Sequence, residues 1–148
     1  MSKIITVLNG PNLNFLGKRE PEIYGTETLE DIEQFCKKCA TRLGIIVHFH
    51  QSNYEGQLVE WIQEAIGVSA GLIINPAAYS HTSVAILDAL KMFSGLKIEV
   101  HLSNVYHREA FRHHSYTSAG VDAVISGCGS KGYWLAIEYI AQRFNYNC

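Results

Sequence analysis

Glu99 and His101 stand two apart in Lys97-Ile98-Glu99-Val100-His101, a β-branched run of the kind that forms a strand. Residues i and i+2 of a strand project from one face, so this spacing sets a carboxylate beside an imidazole. Such a neighbour fixes the ring's orientation and suits it to pass a proton, although an isolated pair of this kind is more often only structural. A second arrangement, Cys36-x-x-Cys39 with His48 and His50 downstream, has the spacing of a redox pair or a zinc site. It falls within a stretch that reads as helix over 29–43, so Cys36 sits about two turns past the end where a helix lowers a thiol pKa. Core-facing reduced thiols are the expectation there. A third, Gly127-Cys128-Gly129-Ser130-Lys131-Gly132, begins like a dinucleotide loop, but no further strand completes a βαβ unit after it. Glycines that let a last helix pack closely on its strand account for it.

The elements that must position these residues alternate strictly. Short apolar runs predict strands over 3–8, 45–50, 71–75, 97–101 and 121–126, and amphipathic stretches predict helices over 29–43, 57–67, 83–93 and 131–144. Thr28, with Asp31 three residues on, reads as the cap of the first helix and Gly44 as its stop. In the second helix Leu58, Trp61, Ile62, Ala65 and Ile66 fall at helical spacing and are expected to face the sheet. Strand–helix alternation of this kind calls for an open, doubly wound α/β fold: five parallel strands with helices on both faces, in the flavodoxin-like order 2-1-3-4-5. One connection is out of proportion, the roughly twenty residues 9–27 between the first strand and its helix, where about two to six are usual. A loop of that length is commonly functional, often a lid. Open α/β folds bind ligands beyond the carboxyl ends of their strands. Here those ends carry Asn9 and Asn12, Gln51 and Asn53, Asn75 and His81, and His101 and Ser103, the equipment of a site for a small polar molecule.

Composition narrows the field further. The 148 residues suit one domain, expected to span 1–148. Lys+Arg 12 against Asp+Glu 14 leaves a net charge of −2, which argues against nucleic acid or an anionic membrane as the main partner. Hydrophobic content of 47% with three prolines excludes a largely disordered chain. The apolar runs are too short to cross a bilayer, and Met1-Ser2-Lys3-Ile4-Ile5 enters a strand pattern with no signal-peptide layout, so a cytoplasmic location is expected.

Several blocks together resemble one family. Gly10-Pro11-Asn12-Leu13-Asn14-Phe15-Leu16-Gly17-Lys18-Arg19-Glu20-Pro21-Glu22-Ile23-Tyr24-Gly25 is similar to the opening signature of the type II 3-dehydroquinate dehydratases. The likeness continues through Gln51-Ser52-Asn53-Tyr54-Glu55-Gly56, then Asn75-Pro76-Ala77-Ala78-Tyr79-Ser80-His81-Thr82-Ser83-Val84-Ala85. It extends to Glu99-Val100-His101-Leu102-Ser103-Asn104 and Arg108-Glu109-Ala110-Phe111-Arg112-His113-His114-Ser115. In order and at matching spacing, these blocks cover nearly the whole chain. Phe15, where the family more often has Leu, and Cys128 are small departures away from catalytic positions.

The resemblance implies a hydro-lyase that removes water from 3-dehydroquinate to give 3-dehydroshikimate, by anti elimination through an enolate and without metal or other cofactor. It places the step in the shikimate pathway of aromatic amino acid biosynthesis, with quinate catabolism as the alternative. It assigns the base to Tyr24, an unperturbed phenol ionised in about one molecule in a thousand at neutral pH, and gives Arg19 the task of holding the tyrosinate. It makes His101 the acid, supported by Glu99, and gives Asn12 to the enolate oxygen. Asn75 and the backbone N–H groups of Leu102 and Ser103 would hold the substrate carboxylate, and His81 and Arg112 its ring hydroxyls. Asp88 is implied to reach a neighbouring subunit's site within a homododecamer, a tetramer of trimers. No lysine receives a chemical role, so no Schiff base is implied.

Overall fold

The computed structural model describes residues 3–18 and 21–145, the side chains of Ile23, Tyr24 and Asn145 excepted. Strand β1 (Lys3–Asn9) leads through a 3-10 turn at Leu13–Phe15 and a one-turn helix α1 (Pro21–Tyr24) to α2 (Leu29–Arg42). There follow β2 (Ile45–Gln51), α3 (Glu55–Ala65), β3 (Gly71–Asn75), α4 (Val84–Met92), β4 (Leu96–His101), β5 (Ala123–Ser126) and α5 (Lys131–Asn145). Local chemistry sets the ends of α2 as the sequence suggests. Thr28 Oγ1 accepts the Asp31 N–H at 3.1 Å while Asp31 Oδ2 accepts the Thr28 N–H at 3.0 Å, a complete capping box. Gly44, at φ 72°, turns the chain out of the helix.

The five strands pair in parallel in the order β2-β1-β3-β4-β5, the order expected. Each face of the sheet carries its own apolar core. Ile5, Val7, Ile73, Ile98 and Val100 meet Ile32 and Cys36 of α2 and Tyr133, Ile137 and Ile140 of α5. Leu8, Leu72 and Ile74 meet Leu58 and Ile62 of α3 and Ile86 and Leu90 of α4. A fully buried Leu or Ile side chain contributes about 1.5–3 kcal/mol, so these two layers supply the main drive to fold. Close approach of α5 depends on Gly132, where a Cβ would stand 3.1 Å from Val100 Cγ1, as expected for the glycine-rich turn before that helix. No described helix is long and apolar enough to cross a membrane.

Three local expectations need correction. Helix α3 starts at Glu55 and stops at Ala65 rather than covering 57–67, because Ile66 turns to an extended conformation (φ −62°, ψ 123°) and Gly67 follows at φ 77°. Ile66 therefore leaves the core and is 41% exposed, while Trp61 does pack against the core, half-buried, with its ring stacked on His50 at 4.8 Å. Strand β5 begins at Ala123 rather than Val121, because Asp122 brackets Lys97. The Lys97 N–H donates to Asp122 Oδ2 and the Asp122 N–H to the Lys97 carbonyl, each at 2.8 Å.

The topology also levels the polar strand ends. Asn9 is in register with Gln51 on β2 and with Asn75 on β3. The turn after β1 presses against the turn after β3, where the Gly10 N–H donates to the Asn75 carbonyl at 2.8 Å. A Cβ on Gly10 would collide with the carbonyl oxygen of Pro76 and lie 2.7 Å from its carbonyl carbon. Backbone cannot yield there, so only glycine lets the two loops share one rim.

Candidate active site

A cavity of about 200 Å³ opens beyond the carboxyl ends of β1, β3 and β4. Asn12, Asn75, His81, His101, Leu102, Ser103 and Arg112 all line it, so seven residues expected to work together are brought together. Leu13, Phe15 and Leu16 supply an apolar wall from the long first connection, and Arg108 joins Arg112. No carboxylate is among the lining residues described. The cavity is furnished with amides, imidazoles and two guanidinium groups, which suits an anionic, oxygen-rich ligand.

Glu99 stands behind His101, fully buried, and accepts from four side chains. His101 Nε2 and the Ser118 hydroxyl donate to Oε2 at 2.6 and 2.7 Å, Ser115 to the same oxygen at 3.4 Å, and Thr117 to Oε1 at 2.6 Å. Burial alone pushes the Glu99 carboxyl up. The hydrogen bonds and charge of His101, with those of Thr117 and Ser118, outweigh it and hold the group below its usual range. An ionised carboxylate carries no proton to give, so Nε2 must be the N–H donor of the pair. That leaves Nδ1 as the ring nitrogen at which His101 takes up or releases a proton.

This shell predicts a pH-dependent loss on removing a hydroxyl. A carboxyl held below its unfolded value adds stability above the ordinary carboxylate range, near pH 4.3, and that share drains as the pH falls through the folded value. Thr117→Val should therefore cost about 1.5–3 kcal/mol in urea unfolding at pH 7, the worth of a buried hydrogen bond to a charged group. The cost should shrink only as the pH falls below the usual carboxylate range and through the folded value. A cost that stays constant down to the acid unfolding limit would show that Thr117 does not serve an ionised acceptor.

The other lining groups are held by neighbouring loops. The Asn12 N–H donates to Asn53 Oδ1 at 2.9 Å, and Tyr79 ties the same residue down by donating to the Asn53 carbonyl at 2.7 Å. Asn12 at φ 70° and Ala77 at φ 52° are the two described non-glycine residues in the left-handed region, and both line the cavity. Such conformations are costly and persist where surrounding structure over-determines them, often at binding sites. His81 Nδ1 donates to the His114 carbonyl at 2.8 Å, which fixes its tautomer and leaves Nε2 for a ligand. Arg112 Nε donates to Glu109 Oε2 at 2.9 Å, and its guanidinium lies over the Phe111 ring at 5.0 Å. The backbone N–H groups of Leu102 and Ser103 sit just past the end of β4, beside His101, where no strand continues the ladder.

Residues 3–141 match the model of the family described as dehydroquinase class II. The chain belongs to that family. A curated relative from Bartonella henselae, named 3-dehydroquinate dehydratase, is 86% identical over 147 residues, 99% of each chain. Another of that name from Streptomyces avermitilis is 59% identical over 138 residues, 93% of this chain and 87% of the relative. The crystal structure of a type II dehydroquinase from Propionibacterium acnes aligns with a TM-score of 0.93 at 47% identity, over 96% of this chain and 98% of that one.

Not every residue implied by likeness to the dehydroquinases falls in the cavity. Arg19 and the side chain of Tyr24 lie outside the described residues, while the backbone of Tyr24 ends α1. Asp88 is exposed on α4 and lines no part of this chain's cavity. Arg108 and the hydroxyls of Ser115, Thr117 and Ser118 were not anticipated. Four-residue spacing of Arg108 and Arg112, and a hydroxyl run at 115–118, are the signals that could have pointed to them. Cys36 is buried and its thiol is pushed up to about 12, first by burial and then by Cys39. Cys39 is buried and raised as well, the reverse of what a redox pair needs.

Proposed function

We propose that this dehydroquinase-family chain is a 3-dehydroquinate dehydratase acting by anti elimination through an enolate. The observation that carries the reading is the Glu99–His101 pair, 2.6 Å apart, opening onto a cavity of hydrogen-bonding groups with no carboxylate among its described lining residues. Identity of 86% to a curated dehydratase, across the length of both chains, supports the substrate.

Tyr24, ionised beside Arg19, takes the proton from the carbon alpha to the ketone, and the electron pair moves into the carbonyl to form an enolate. Asn12, at the cavity rim, donates to the enolate oxygen. The pair then returns to form the conjugated double bond as the carbon–oxygen bond of the beta hydroxyl breaks. His101 gives its Nδ1 proton to the departing oxygen, which leaves as water. Glu99 holds the Nε2–H of the ring, so the proton that the doubly protonated imidazole gives up is the one on Nδ1. Leu102 and Ser103 N–H groups with Asn75 hold the carboxylate, and His81 and Arg112 the ring hydroxyls. Asp88, exposed on α4, serves the site of a neighbouring copy in a homododecamer. The enzyme works in the cytoplasm and in the shikimate pathway, with the same step of quinate catabolism as the second reading.

Incubating EDTA-treated protein with 3-dehydroquinate tests this directly. Ultraviolet absorbance of the conjugated enone-carboxylate should rise steadily. A flat trace from folded protein would overturn the assignment, and activity lost to EDTA and restored by a divalent ion would overturn the metal-free mechanism.

A further inference from the structure

Asn9 and Asn75 end two adjacent strands in register, both buried, and the hydroxyl of Tyr133 enters between them from α5. Tyr133 is fully buried and belongs to the core layer beneath the cavity rather than to its lining. Four hydrogen bonds run through these three residues in one line. Asn9 Nδ2 donates to the His50 carbonyl at 3.0 Å, and Tyr133 donates to Asn9 Oδ1 at 2.6 Å. Asn75 Nδ2 donates to the Tyr133 oxygen at 3.0 Å, and the Ala77 N–H donates to Asn75 Oδ1 at 3.2 Å.

Both ends of this line are backbone groups whose roles cannot change. The His50 carbonyl only accepts, so the Asn9 amide turns its nitrogen there and its oxygen to Tyr133. Tyr133 has one hydrogen and spends it on Asn9, so it can only accept from Asn75. From the other end, the Ala77 N–H only donates, which puts the Asn75 oxygen on that side and its nitrogen toward Tyr133. The two ends dictate the same direction. Burial pushes the Tyr133 phenol far above its ordinary range, so the hydroxyl keeps the hydrogen on which that direction depends.

We propose that Tyr133, with Asn9, is a positioning residue that reinforces the polarity the Ala77 N–H gives Asn75, so that Asn75 turns its second Nδ2 hydrogen to the cavity. The ligand atom met there must then be a hydrogen-bond acceptor, a carboxylate or carbonyl oxygen, and a hydroxyl can approach only through its lone pairs. The inference rests on the dehydratase reading for the identity of that ligand, but the polarity itself rests only on the hydrogen-bond line.

Tyr133→Phe, assayed on 3-dehydroquinate well below its melting temperature, should raise KM about tenfold, the size of one ligand hydrogen bond, and leave kcat within about twofold. Asn9→Leu should do the same, because Tyr133 could then turn its hydrogen toward Asn75, leaving the Ala77 N–H alone to hold the amide. Either folded variant with wild-type KM, or with a lowered kcat at unchanged KM, overturns the proposal. Neutron diffraction from deuterium-exchanged wild-type crystals needs no variant to fold. Deuterons pointing from Tyr133 to Asn9 and from Asn75 to Tyr133 support the proposal, and a Tyr133 deuteron aimed at Asn75 overturns it. Wild-type protein inactive on 3-dehydroquinate would fail the dehydratase reading alone, leaving the neutron result to judge the polarity.

Discussion

His101→Gln should stay folded, lose about 10²–10⁴-fold in kcat, and still exchange the substrate's alpha hydrogen with solvent. Glutamine can keep an N–H directed at the buried Glu99, so the carboxylate retains a donor beside those of Thr117 and Ser118. That matters because a buried charge stripped of its partner would cost about 3–5 kcal/mol and confuse the reading with misfolding. The substitution deletes the group proposed to hand a proton to the leaving hydroxyl. The enolate should still form and return, so substrate recovered from D2O should carry deuterium at the carbon alpha to the ketone. A kcat within about tenfold of wild type would remove His101 from the acid role, general acid catalysis contributing about 10²–10⁴-fold where it operates.

Tyr24→Phe should give the complementary result: kcat reduced by a similar 10²–10⁴-fold or more, KM little changed, and no deuterium incorporated. The residues lining the cavity support this division of labour. The titratable bases among those described there are His81, whose Nδ1 is committed to a backbone carbonyl, and His101, which the elimination needs as the acid. On the proposed reading the first proton goes to the long connection after β1, which supplies Leu13, Phe15 and Leu16 to the wall and carries Tyr24 at the end of α1. Phenylalanine fills the same space without the oxygen. Deuterium uptake by Tyr24→Phe together with none by His101→Gln would exchange the two roles.

Both experiments touch residues that sequence alone brings into view, and the reasons are local. A β-branched run sets Glu99 and His101 on one face because side-chain direction along a strand alternates with period two. Thr28 and Asp31 cap α2 because a hydroxyl and a carboxylate three residues apart can each meet the other's backbone N–H. The ends of α3 and β5 were misplaced for an equally local reason. Ile66 continues the helical spacing of apolar residues, yet Gly67 takes the chain into the left-handed region, and Asp122 closes on Lys97 before pairing of β5 begins.

The number and kind of elements, their strict alternation, the polar strand ends and the Glu99–His101 pair were thus present in the order of residues, since each depends on neighbours a few positions away. The supports behind the site were not. Thr117 and Ser118 reach Glu99 from 18 and 19 residues along the chain, and Tyr133 meets Asn9 across 124. A buried serine, threonine or tyrosine looks the same in sequence whether its hydroxyl is idle or holds a buried carboxylate. Its partner is set by which strands pair and which helix covers them, and that packing is what gives His101 its tautomer and Asn75 its polarity.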